Sequence, residues 1–139
     1  MVSSDSDEWI TTVFELDERL RLQMPTVLLD VREPDEVALC HIEGSIWIPL
    51  LEVPARVGDL NPAAEIVVCC HTGNKSLEVV KFLRRRGFQH VSNLEGGIDL
   101  WAIAIDHSFP IYGREPEKSS ALKQAFWERV ANLDGGLAA

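Results

Sequence analysis

Apolar residues along this chain follow two rhythms. Thr26 to Val31 (TVLLDV) and Glu65 to Cys70 (EIVVCC) are short runs, β-branched and apolar almost throughout, which predicts parallel strands covered on both faces. Ser45 to Ile48 and His90 to Leu94 predict two further strands. Between these runs the spacing turns helical. Val13, Leu16 and Leu20 predict a helix over about 13 to 23, with Thr12 and Glu15 at capping-box spacing and Pro25 closing it. Short helices are expected at 34 to 39, at Pro54 and up to Trp101. A longer one, Ser76 to Arg86, carries Leu77, Val79, Val80, Phe82 and Leu83 and stops at Gly87. The alternation of strands and helices predicts an α/β domain.

Beyond Tyr112 the pattern changes. Gly113 to Glu117 reads as a linker, and Pro116 opens a helix to about Leu133, stopped by Gly135 and Gly136. Leu122, Phe126, Val130 and Leu133 form its apolar stripe, expected to pack back on the domain, with a protein partner or a second copy of the chain as the alternative over 116 to 133. The domain itself is expected over 9 to 112, and 113 to 139 as linker and amphipathic helix.

Composition narrows the class. With 139 residues, 46% of them apolar, the chain suffices for one domain with one core. A formal charge of −9 disfavours nucleic acid and anionic membrane surfaces as partners. No apolar run is long enough to span a bilayer, and Met1 to Glu8 is polar and acidic, unlike a signal peptide. Three cysteines, with Cys69 and Cys70 adjacent, do not make a disulfide framework, so a reducing cytoplasm is expected.

The chemistry concentrates where the second apolar strand delivers Cys70 onto the turn His71-Thr72-Gly73-Asn74-Lys75, followed at Ser76 by the start of a helix. Backbone N–H groups of a tight turn and of a first helical turn lack internal partners and can bind an anion. A Cys70 thiolate is such an anion, favoured by the helix dipole and Lys75, while Gly73 permits positive φ. Cys69 points to the opposite side of the sheet as a small hydrophobe, and Cys40 has no comparable context. Zinc is disfavoured because neither Cys40-His41 nor Cys69-Cys70-His71 has ligand spacing, and Gly73-Asn74-Lys75-Ser76 lacks the pattern of a nucleotide-binding loop. Asp30 and Arg32 are expected to form a structural ion pair or cap, and His41 to be a packing histidine. Trp47, Trp101 and Trp127 read as core or docking aromatics. Arg84 to Arg86 complement the helix dipole and, with Lys75 and Lys81, are expected to give the acidic chain a locally positive mouth.

These residues carry a family pattern. Leu29-Asp30-Val31-Arg32-Glu33-Pro34-Asp35-Glu36, His41-Ile42-Glu43-Gly44-Ser45 with Ile48-Pro49, Cys70 to Ser76, Leu94-Glu95-Gly96-Gly97-Ile98 with Trp101, and Phe109-Pro110-Ile111-Tyr112 follow one another as in single-domain rhodaneses. The chain resembles that sulfurtransferase family over about 9 to 112. The resemblance implies a three-layer α/β/α fold with a five-stranded parallel sheet, here with a C-terminal helical extension. It further implies a catalytic Cys70 that accepts sulfane sulfur as a persulfide, with His71, Thr72, Gly73, Asn74, Lys75 and Ser76 as the loop that binds substrate and persulfide. The implied partners are a small anionic donor, such as thiosulfate, and a thiol or cyanide acceptor, with no metal or organic cofactor. The six residues from Cys70 to Lys75 match the loop length of these sulfurtransferases, whereas related phosphatases and arsenate reductases use a loop one residue longer that ends in Arg. This chain departs from the family at Lys75, where many relatives have Arg, at His71, where Arg is frequent, and at Cys40, where Gly is common. The alternative function is a catalytically silent rhodanese-like binding or regulatory module.

Overall fold

The computed structural model describes residues 9–113 and the backbone of 116–138, with the last helix's side chains described over 120–133. Met1 to Glu8 and the core of the linker read at Gly113 to Glu117 lie outside the described residues. The elements are β1 (Ile10–Thr11), α1 (Val13–Arg21), β2 (Val27–Asp30), α2 (Pro34–Leu39), β3 (Ile46–Trp47), α3 (Val53–Arg56), β4 (Ile66–Cys69), α4 (Asn74–Arg85), β5 (Val91–Leu94), α5 (Gly97–Ala104) and α6 (Pro116–Ala138). The five strands form one sheet in the order β1-β5-β4-β2-β3, every pair parallel. Sequence periodicity does not locate β1, because two residues are too few to establish a period.

Strand alternation divides the core. Ile66, Val68 and Cys70 face one layer with Leu29 and Val31, against α3, α4 and α6. Val67 and Cys69 face the other with Leu28, against Val13 and Leu16 of α1 and Ile98 and Trp101 of α5. The expected capping box is present, Glu15 N–H donating to Thr12 Oγ1 at 3.1 Å and Thr12 N–H to Glu15 Oε1 at 2.8 Å.

The C-terminal helix packs back on the domain, with Phe126 and Val130 buried and Phe126 edge-on to Phe82 of α4 at 5.7 Å. It does not stop at Gly135 and Gly136 but runs on to Ala138. A glycine breaks a helix only where the chain gains by leaving it, and its intrinsic penalty is about 1 kcal/mol. His41 is exposed rather than a packing histidine. Trp47 is 40% exposed, on edge strand β3, tied down by its indole N–H donating to the Arg32 carbonyl at 2.8 Å.

The largest polar feature inside the fold is Arg32, which is 0% exposed. It donates to both Asp30 oxygens, Nε at 3.0 Å to Oδ1 and Nη2 at 2.8 Å to Oδ2, and to the carbonyls of Cys40 at 2.6 Å and Glu36 at 3.3 Å. Its fifth N–H donates to the Tyr112 hydroxyl at 3.1 Å, and that hydroxyl donates to Glu36 Oε2 at 2.8 Å. Burial alone would lower the Arg32 pKa, but the hydrogen bonds and charge of Asp30, joined by Tyr112, carry it above the usual guanidinium value. The ion pair expected at Asp30 and Arg32 is therefore a hub joining β2, α2 and the segment after α5. Arg32→Met leaves the Asp30 carboxylate buried without its counter-charge, though the backbone N–H of residue 32 still donates to it, with an expected loss of about 3–5 kcal/mol in urea unfolding. A loss below about 1 kcal/mol would mean that water replaces the guanidinium freely.

Candidate active site

β4 carries Cys70 to the C-terminal edge of the sheet, where the chain turns into α4. The sulfur lies at the focus of that turn. Gly73 N–H donates to Cys70 Sγ at 3.1 Å, Ser76 N–H at 3.4 Å and the Ser76 hydroxyl at 3.2 Å. Gly73 adopts φ +96°, which swings its N–H inward, and a Cβ there would press on the Leu94 carbonyl at 3.3 Å. All three donors suit an ionised sulfur. Cys70 itself is 0% exposed.

Turning the N–H groups inward sends the loop's carbonyls outward, and α5 receives them. Ile98 N–H donates to the Cys70 carbonyl at 2.9 Å and Asp99 N–H to the His71 carbonyl at 3.0 Å. These are first-turn donors of a helix, which have no partner within it. The approach is so close that a Cβ on Gly97 would stand 2.5 Å from the Cys70 oxygen and 2.6 Å from that of His71. The Gly96-Gly97 pair thus serves the loop directly, a role that sequence motif alone does not reveal.

The remaining loop residues divide by environment. His71 is buried, with Nε2 at 2.9 Å from Asp99 Oδ1 and its ring stacked on Tyr112 at 4.0 Å and 13°. Tyr112 therefore connects the loop to the Arg32 hub, and burial, against the lowering effect of Arg32 and with Glu36 adding to the rise, pushes its phenol well above the usual value. Thr72 and Asn74 are exposed, and Asn74 Oδ1 accepts from Lys123 of α6 at 3.3 Å. Lys75 is 5% exposed and has no hydrogen-bond or ion-pair partner among the described residues. Cys69 is buried on the opposite face, and burial raises its thiol pKa well above the ordinary value, with Asp30 adding to the rise. No group of three or more His, Cys, Asp or Glu among the described residues could hold a metal ion.

One expectation needs correction. Arg84 to Arg86 do not line the mouth: they close the far end of α4, roughly 18 Å along a 12-residue helix from the loop. There Arg84 lies over Trp9 at 5.2 Å, Arg85 over Trp127 at 4.7 Å and Arg86 over Phe82 at 5.3 Å. Lys81 lies 3.7 Å from Glu78. Two residues that touch the site were missed, Asn93 and Asp99. Asn93 had a visible signal, Ser92-Asn93 being a polar pair inside an apolar strand, while Asp99 had none.

Comparisons with known proteins bear on the family and the fold. The model of the rhodanese-like domain family matches residues 12–104. A protein named sulfurtransferase from Allochromatium vinosum is 31% identical over 100 residues, covering 72% of this chain and 91% of its own length. A chloroplastic rhodanese-like/PpiC domain-containing protein of Arabidopsis thaliana is 35% identical over 89 residues, 61% of this chain, and this chain spans only 30% of that protein. The crystal structure of a rhodanese-related protein from Thermoplasma volcanium superposes with a TM-score of 0.62 at 32% identity, covering 72% of this chain and 93% of that one.

The α5 clamp makes a stability prediction. Gly97→Ala places a methyl against two carbonyls at positive φ, and thermal or urea unfolding is expected to show a loss of about 2 kcal/mol or more. Gly58→Ala, with open space at its Cβ position, is the control and is expected to change little.

Proposed function

The chain belongs to the rhodanese-like domain family, and from that premise we propose that it is a sulfurtransferase working through a Cys70 persulfide. Relatives named as sulfurtransferases support sulfur transfer in the broad sense. The observation that carries the finer reading is the convergence of the Gly73 N–H, the Ser76 N–H and the Ser76 hydroxyl on Cys70 Sγ. Donors aimed at one atom where charge resides and returns are the usual structural basis for stabilising such a group.

In the proposed cycle the Cys70 thiolate attacks the outer sulfur of thiosulfate or of a persulfide donor. With thiosulfate, a bond forms from Sγ to that sulfur, the donor's own S–S bond breaks, and sulfite departs with the electron pair. The terminal sulfur of the persulfide then carries the negative charge within reach of the loop N–H groups. A thiol, as thiolate, or cyanide attacks that terminal sulfur and Cys70 leaves as thiolate, so no metal or organic cofactor takes part. His71, Thr72, Gly73, Asn74, Lys75 and Ser76 form the binding loop, with Lys75 the cation within it. The free state of Cys40, Cys69 and Cys70 suits a reducing compartment such as the cytoplasm.

The burial of Cys70 favours a second reading, a silent binding module whose thiol no donor reaches. Mass spectrometry after thiosulfate treatment separates the two. The expected result is a gain of one sulfur on Cys70, lost in Cys70→Ser and retained in Cys69→Ser and Cys40→Ser. An unmodified Cys70 would sink the enzyme and leave the module.

A further inference from the structure

Beside the sulfur, on the neighbouring strand, stands a side chain that the cycle above does not use. Asn93 lies in β5 opposite Val68 of β4 and is 8% exposed. Its Nδ2 donates to the Gly73 carbonyl at 2.9 Å, and its Oδ1 accepts from the Ser76 hydroxyl at 2.5 Å. The two contacts fix one another. Reversing the amide would set Oδ1 against a carbonyl oxygen, so the Gly73 carbonyl keeps Oδ1 turned toward Ser76.

The Ser76 hydroxyl has one proton and two acceptors, Asn93 Oδ1 at 2.5 Å and Cys70 Sγ at 3.2 Å. While Sγ is neutral, as a thiol or in a persulfide, the amide oxygen is the better acceptor. When Sγ carries negative charge, the charge-assisted bond to sulfur becomes the stronger one. Without Asn93, a serine in the first turn of a helix has the ordinary alternative of donating to the carbonyl four residues back, here Thr72, and so turning from the sulfur.

We propose that Asn93 is a positioning residue acting through Ser76: it holds the hydroxyl beside Cys70 and yields the proton to Sγ as negative charge develops there. For the discharge step this role rests on the sulfurtransferase reading. In that step an acceptor thiolate bonds to the terminal sulfur, the Sγ–S bond breaks, and its electron pair remains on Sγ. The Ser76 proton then turns from Asn93 Oδ1 to the new thiolate. Stabilisation that grows only as the bond breaks accelerates turnover rather than tightening donor binding. The charged and titratable groups around the loop are His71 and Lys75 within it, Cys69 just before it, Asp99 on α5, Lys123 of α6 at Asn74, and Asp30, Arg32, Glu36 and Tyr112 in the hub behind His71; the substitutions of Ser76 and Asn93 alter none of them.

The test uses the Cys40→Ser/Cys69→Ala protein, in which ultraviolet thiolate absorbance reports Cys70 alone. Ser76→Ala and Asn93→Leu are each expected to lower the Cys70 ionisation constant about tenfold, the size of one hydrogen bond to a charged group. The double variant is expected to lower it no further, because both changes remove the same bond. Ser76→Thr, which keeps the hydroxyl, is expected to restore the parent titration. Additive effects, or an Asn93→Leu titration equal to the parent's, would overturn the proposal and leave Asn93 as loop support. If Asn93→Leu does not fold, Asn93→Ala takes its place: it removes the amide without adding charge, and its effect should shrink markedly in a Ser76→Ala background. An equal effect in both backgrounds overturns the role. In sulfur transfer, Asn93→Leu should lower kcat about tenfold with KM for the donor unchanged. Coupled titration in a protein that takes up no sulfur would sustain the positioning role and count against the sulfurtransferase, whereas sulfur uptake with uncoupled titration would do the reverse.

Discussion

A loop that points its N–H groups at one atom must point its carbonyls away from it, and those carbonyls cannot be left bare in a protein interior. In this fold the constraint is met by α5, whose first-turn N–H groups accept the job of pairing the carbonyls of Cys70 and His71. The demand propagates outward. It requires glycine at position 97, because two carbonyl oxygens occupy the place of a Cβ. It also requires that α5 begin beside the end of β4, which the parallel pairing of β4 with β5 secures by delivering Leu94 and the Gly96-Gly97 turn to the same edge of the sheet. The sulfur site is thus the product of sheet register as much as of the loop sequence.

A second support comes from the segment after α5. The Tyr112 ring stacks on His71 while its hydroxyl bridges Arg32 and Glu36. A buried guanidinium with all five N–H groups engaged is rigid, since moving it would strand several polar groups at once. The aromatic face pressed on His71 inherits that rigidity. His71 is also held by Asp99, so α5 supports the loop through both backbone and side chain.

Much of this was legible in the sequence because local rules decide it. Two of the four strands expected from sequence, β2 and β4, are marked by continuous apolar runs, α1 by its capping box, and the separation of Cys69 from Cys70 by strand alternation. What escaped depends on distance in space. Nothing near Asp99 indicates that it meets His71, 28 positions earlier. Arg84 to Arg86 share a helix with the loop, and sequence proximity suggested a shared electrostatic role, but 12 helical residues carry them to the other end. The glycines at 135 and 136 failed as a stop signal because propensity only biases a helix end.

The net charge of −9 consequently says little about the site. Surface carboxylates act through water and salt and are screened over about 10 Å, whereas groups inside a buried loop interact with far less screening. Within the loop the local inventory is dipolar and short-ranged: two backbone N–H groups, one hydroxyl, and Lys75 sunk to 5% exposure. Such a set favours charge on a particular atom without drawing anions from afar. It also makes the position of that charge matter. In the proposed cycle the loaded charge would sit on the terminal sulfur, about 2 Å from Sγ, and discharge would return it to Sγ. A side chain able to give its proton to either sulfur or a neighbouring amide fits that alternation better than a fixed cation would, since a fixed cation stabilises both states in similar measure and lowers the barrier between them less.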